Sequence, residues 1–276
     1  MSPLDDLLGS RSLIISSHSN DAVLTRTLGE WSTISLRSPR GIAVGSTTAI
    51  VGSDGAHLFV GGMETALLAV NDIASHECAW AADSLLVCSP HRSAIVAPNV
   101  SGESIVWTVP GVDESSDARS WVNGLSVVDG ALAYVTALGV SNTAAGWRAE
   151  AAASRGALID ARADEIVLHD LFLPHSPSAQ ADGSVLFLNS GHGQLCRWSG
   201  GSGFDVVATL NGWARGLAVA DGHAFVGVSQ GRTTAFPNLT VDPLAQPGIA
   251  VIDLASGALV DFAQLDVREV FAVVVS

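Results

Sequence analysis

Two dipeptides, His76-Glu77 and His175-Ser176, each sit at the head of a short run. Arg40, Asn123, Arg215 and Arg268 hold the same place before other runs. The six phrases are Arg40-Gly41-Ile42-Ala43-Val44, His76-Glu77-Cys78-Ala79-Trp80, Asn123-Gly124-Leu125-Ser126-Val127, His175-Ser176-Pro177, Arg215-Gly216-Leu217-Ala218-Val219 and Arg268-Glu269-Val270-Phe271-Ala272. Arginines gathered at one place suit a carboxylate or phosphate, because the planar guanidinium donates two parallel hydrogen bonds. A histidine and a glutamate nearby supply a general base and a general acid.

The chemistry this equipment implies is acid and base catalysis on a small, carboxylate-bearing substrate. Arg40, Arg215 and Arg268 would hold the anion; His76, Glu77 and His175 would move protons. Asn123 and Asn189 would orient the substrate, with Ser176, Ser190 and Glu269 completing the rim. No step needs a cofactor, and cyclisation, isomerisation, elimination and hydrolysis all fit. Three other readings stand beside it. His76, Glu77 and His175 are possible metal ligands of a hydrolase or lactonase, although three arginines close by oppose a cation. The charges can also form an inter-strand network, since buried charges are paired. The third is a ligand-binding protein without turnover. Gly227-Val228-Ser229-Gln230-Gly231 matches the nucleophile-elbow pattern, but a Pro-containing loop follows where that motif needs a helix.

Each phrase is followed by further short apolar runs separated by Gly- and Asp-containing turns. Thr48 to Gly52, His57 to Gly61 and Ala66 to Val70 follow the first; Leu85 to Cys88, Ala94 to Ala97 and Ser104 to Val109 the second; Val185 to Asn189, Gln194 to Trp198 and Asp205 to Leu210 the fourth. Only the Ala-rich piece Arg148 to Ser154 reads as helix. Four short strands recurring about every 40 to 50 residues predict an all-β, six-bladed β-propeller with four strands per blade, spanning 1–276 as one domain. The sixth phrase has one strand left before Ser276, and Ser12 to Ser16, Ala22 to Thr27 and Ser32 to Leu36 supply the missing three. The C-terminal strand should therefore pair with the N-terminal strands and close the ring.

On that architecture the six lead residues ring one end of a central channel. Strand alternation lets only one of two adjacent residues face it, and the Arg/His/Asn series is expected to do so. Two long connections, 139–155 and 230–247, should overhang the same end as lids. Trp147 and Arg148 on one and Phe236 on the other are placed to stack on a flat ligand.

A net charge of −14 disfavours nucleic acid and anionic lipid. The chain has no lysine, which removes Schiff-base, P-loop and Ser-Lys chemistry. No apolar run is long enough for a membrane span. Asp5 and Asp6 precede the first apolar runs without a positive charge, unlike a secretory signal, and Cys78, Cys88 and Cys196 lack paired spacing. These features point to the cytoplasm, and the lysine-free, alanine- and arginine-rich composition to specialised bacterial metabolism.

In order, His76-Glu77-x-x-Trp80, Asn123-Gly124-Leu125, Tyr134-Val135-Thr136-Ala137-Leu138-Gly139, Gly146-Trp147-Arg148, Leu173-Pro174-His175-Ser176-Pro177, Leu188-Asn189-Ser190-Gly191 and Arg215-Gly216-Leu217-Ala218 resemble a bacterial conserved-hypothetical family, a domain of unknown function expected to form a propeller. The resemblance covers roughly residues 37 to 276 and implies a fold but no reaction. The chain departs from the family's pattern at Val87-Cys88-Ser89-Pro90-His91-Arg92, at Trp121-Val122 and at Ser178.

Overall fold

A computed structural model describes residues 2–114, 117–231, 235–236 and 238–276. Its strands form six antiparallel four-stranded sheets, the blades of a six-bladed β-propeller. Blades one to five each use four consecutive strands, with inner strands Ile42–Ala43, Cys78–Ala81, Val122–Val128, Pro174–Ala179 and Trp213–Ala220. Blade six is composite: Ala272–Val275 pairs antiparallel with Ser12–Ser17, Leu13 lying opposite Val275 and Ser16 opposite Ala272. Both chain ends thereby share one sheet, which completes the ring, and each blade keeps only a short outer edge strand such as Glu30–Ser35.

The two-residue period of a strand explains the core. Val185 and Phe187 pack with Tyr134 and Leu158 of blade three, whereas Leu186 and Leu188 turn the other way onto Ala224 and Val226 of blade five. In blade two, Leu85 and Val87 face blade one while Leu86 and Cys88 face blade three. The same packing joins blades five and six and blades six and one. The middle strands of the blades are therefore apolar on both faces, which is why they read as continuous apolar runs rather than as alternating ones, while outer strands such as Glu30–Ser35 face solvent.

Ala22–Thr27, Val185–Asn189 and Gln194–Trp198 lie where the runs predict, and Glu30–Ser35 begins two residues before its expected start. The Ala-rich piece is a short helix, Trp147–Ala152. A second helix, Pro3–Leu8, escaped the periodicity reading. Ser2 caps it in a reciprocal box with Asp5, and Leu4 and Leu8 enter the core between blades five and six. Among the described residues no helix is long and apolar enough to cross a membrane.

Because both faces of a middle strand are core, Phe187→Ala should cost about 3 to 5 kcal/mol and the adjacent Leu186→Ala about 2 to 5 kcal/mol in guanidinium unfolding. A blade with one solvated face would show a large loss at only one of the two.

Candidate functional site

The recurring phrase is a β-bulge on the inner strand. The Arg40 and His76 amides donate to the Val51 and Cys88 carbonyls at 2.8 and 3.1 Å. The Val51 and Cys88 amides return to the carbonyls of Gly41 and Glu77, both at 2.9 Å. Two residues thus face one in each of these blades. The pairing also shifts between Val122 and Gly124, between His175 and Ser178, and between Arg215 and Leu217. A bulge bends the strand and re-aims its side chains. Ser176 and Gly216 adopt left-handed φ values of 51° and 71° to make it. A Cβ on Gly216 would lie 2.7 Å from the Val273 nitrogen, and one on Gly41 would lie 2.5 Å from the His76 oxygen. Glycine is therefore required where a neighbouring inner strand crosses closely, whereas Glu77 and Ser176 fill positions that open on the axis.

The axial cavity has a volume of about 300 Å³ and is walled by all six inner strands. Sequence periodicity assigned the lead residues to this channel; the bulge turns the second residues of blades two, four and five into it instead. Glu77, Ser176 and Gly216 line it, and Arg40, His76, Asn123, His175, Arg215 and Arg268 do not. From Glu77 the cavity runs along half-buried Ala79, Val127, Ala179 and Val274 toward the far ends of the inner strands.

Protein surrounds the Glu77 carboxyl, which keeps part of its surface on the cavity. It accepts hydrogen bonds from the Ser176 hydroxyl and the Leu125 amide. The Gly216 amide in turn donates to Ser176 Oγ at 3.2 Å. Burial pushes Glu77 up to about 7, outweighing the opposing pull of both hydrogen bonds and of the Arg215 charge. All three cysteines are buried and burial raises their thiols, so none supplies a thiolate.

On the other side of Glu77 lies a packed aromatic and charged layer. The Arg215 guanidinium sits 4.2 Å from the Phe271 ring centre and 4.9 Å from that of Trp213, and Nη1 is 3.4 Å from Glu269 Oε2. Glu269 also accepts from Ser19 Oγ at 2.8 Å. His76 packs edge-on against Trp121 and Phe271, and its Nδ1 donates to the Ala74 carbonyl at 2.5 Å. His175 Nδ1 lies 2.9 Å from both the Leu173 carbonyl and Ser190 Oγ.

Several expected site residues serve the scaffold. Asn123 donates to the Pro174 carbonyl at 2.7 Å and accepts from Thr136 Oγ1 at 3.0 Å, tying blade three to blade four. Asn189 accepts from the Phe172 amide and donates to Gln194. Arg40 reaches the Ile73 carbonyl at 2.6 Å and Arg268 is exposed beside Gln230 and Gln264, so the three arginines do not converge on the axis. For Arg215 the reason is the bulge, which turns the following Gly216 to the channel; Arg268 lies before the inner strand of blade six, which reaches the cavity only from Ala272 onward. Nor do His76, Glu77 and His175 gather, and among the described residues no three His, Cys, Asp or Glu side chains are placed to hold a metal.

The two long connections do meet. Trp147 and Ala151 from one, and Phe236, Leu239 and Val241 from the other, share an apolar cluster with Trp121, Phe172 and Trp213. Asn238 Nδ2 donates to the Ala152 carbonyl at 3.4 Å. Trp147 stacks tilted on Trp121 at 4.4 Å, Phe236 lies edge-on to Trp213 at 5.8 Å, and the exposed Arg148 covers the Trp147 ring. Residues 232–234 and Pro237 of the second connection lie outside the described residues. Trp213 and Phe271, which flank Arg215, were not singled out by the sequence. Each stands two positions from a site residue, Arg215 or Glu269, and a period of two was the available signal.

The family model described as a domain of unknown function, DUF4915, matches residues 57–276. The chain belongs to that family. No curated protein sequence matches this DUF4915 member. Solved structures similar to it include a chain of a nidogen/laminin complex, with TM-score 0.69 and 9% identity over 97% of this chain and 98% of that one. A gluconolactonase from Xanthomonas campestris has TM-score 0.63 and 15% identity over 97% and 84%. A virginiamycin B lyase from Staphylococcus aureus, crystallised with quinupristin in a catalytically inactive form, has TM-score 0.52 and 13% identity over 80% and 75%. At such identities the likeness is one of fold.

The position of Glu77 fixes a pH dependence. The folded chain holds the Glu77 proton up to about pH 7, whereas the unfolded chain releases it near 4.5. Between those values the native state binds more protons, so this group's contribution to stability falls as pH rises. Glu77→Gln lacks the effect. Its stability relative to the parent should climb by up to about 3 kcal/mol between pH 4.5 and 7 and then level off, as read from urea midpoints.

Proposed function

We propose that the chain is an enzyme that moves a proton on a small, uncharged or cationic molecule held in the axial cavity, with Glu77 as the acid and base. The observation that carries this reading is one carboxyl group, pushed up to about 7 by burial, facing a cavity of about 300 Å³. A group that changes protonation near neutral pH takes and returns protons with little driving force lost in either direction. Ser176 holds the carboxyl in place through a bulge that is itself bonded to Gly216. The hydroxyls of Ser126, Ser176 and Ser178 line the wall and no arginine does, which favours a ligand without a carboxylate.

Among the four reaction types open to the sequence, isomerisation and elimination suit the site best. The cysteines are held as thiols, and Ser176 already donates its proton to Glu77. Glu77 would take a proton from one substrate atom and return it to another, or to a leaving group. The names of two similar folds, a lactonase and a lyase, support small-molecule chemistry on this architecture.

The test is to incubate the protein with a bacterial small-molecule extract and to follow every species by mass spectrometry. The parent should deplete one species in favour of another of equal mass, or of two fragments. Glu77→Gln should leave it unconverted while still retaining it. Equal conversion by both proteins would overturn the assignment, and retention without conversion by both would make the chain a ligand-binding protein.

A further inference from the structure

A second polar groove lies on the outer side of the aromatic layer, where blades one and two meet, and has a volume of about 710 Å³. Its organising group is Asp72, whose side chain is only 2% exposed. Oδ2 accepts from Ser89 Oγ at 2.9 Å and from the His91 amide at 2.8 Å. Oδ1 accepts from the Ala74 amide at 2.8 Å and faces His91 Nδ1 at 2.6 Å. A carboxylate so surrounded only accepts, so His91 Nδ1 carries the proton and, in the neutral ring, Nε2 presents a lone pair. The His91 side chain is 42% exposed, and Trp121 braces its ring edge-on at 5.4 Å. Among the described residues Nε2 has no partner.

The rest of the groove decides what that lone pair would meet. Arg92 is held by Glu103 at 3.0 Å and Glu114 at 3.2 Å, and the fully buried Glu103 side chain also accepts from the Asn71 amide at 3.1 Å. The Arg92 charge is thus matched inside the protein. Glu114 is 64% exposed and uses only Oε1, which leaves Oε2 open, and the Asn71 side-chain amide has no protein partner among the described residues. Three carboxylates face one arginine, and the open valences are mainly acceptors. We infer that this groove is a second ligand site, in which His91 Nε2, Glu114 and Asn71 receive the hydroxyl and ammonium donors of an amino sugar or similar amino polyol. It is separate from the axial cavity and does not depend on the role of Glu77.

The experiment is ¹⁵N NMR of the histidine-labelled full chain, titrated with glucosamine and, separately, with glucuronate, a polyol of opposite charge. His91 should show the Nδ1-protonated tautomer. Glucosamine should shift its Nε2 resonance saturably, with half-saturation below about 10 mM, and glucuronate should not. Glu114→Gln should weaken the glucosamine response at least about tenfold, the lower end of the discrimination expected of one charged hydrogen bond. Asp72→Asn should move the ring proton to Nε2 and abolish the response, because an amide can donate to Nδ1. An Nε2-protonated tautomer in the parent would overturn the proposal. So would an equal response to glucuronate, or no saturable response to glucosamine.

Discussion

A buried carboxyl group makes no ion pair among the described residues, and the centre of this propeller is built around it. Glu77 is surrounded by inner strands, receives one hydroxyl and one amide hydrogen bond, and feels the Arg215 charge only from a distance. Two hydrogen bonds are too few to replace the water an ionised carboxylate loses on burial. The group therefore holds its proton into the neutral range. Placing a polar group there costs stability that a leucine would not, and it leaves a proton donor and acceptor at the closed end of an axial cavity.

What holds that arrangement is the bulge repeated on the inner strands. It turns Glu77 and Ser176 toward the axis and sends His76 and Arg215 into the aromatic layer behind them. The left-handed Ser176 is the unusual residue, since a non-glycine backbone there is strained by roughly 1 to 3 kcal/mol and must be over-determined by its surroundings. Its hydroxyl bridges the Glu77 carboxyl and the Gly216 amide, linking blades two, four and five across the channel. Arg215, between Phe271 and Trp213 and beside Glu269, closes the other side with a charge whose field reaches Glu77.

The sequence carried the fold much further than the site. Apolar runs and turns located the strands, because the middle strands of each blade are buried on both faces, and the lone C-terminal strand implied ring closure. The helix Pro3–Leu8 is too short for periodicity, and its only written signal was the Ser2-Pro3-x-Asp5 cap. The six polar phrases correctly marked the ends of inner strands, but a bulge shifts the facing side by one residue, and no spacing in the sequence announces it. That shift put Glu77, Ser176 and Gly216 at the channel in place of His76, His175 and Arg215, while Arg40 and Arg268 reach other partners away from the axis. Asp72 and His91 lay outside the repeat altogether: 19 positions separate them, and the pairing of Cys78–Ala81 with Ser84–Ser89 inside blade two brings the segment before the first strand against the turn after the second.

The most direct measurement is a ¹³C NMR titration of the carboxyl resonances of glutamate-labelled protein, with the Glu77 signal assigned by its loss in Glu77→Gln. A midpoint close to 7 is the result this account requires. A midpoint near 4.5, the ordinary value for the side chain, would mean that water or a cation reaches the carboxyl freely, and would contradict it.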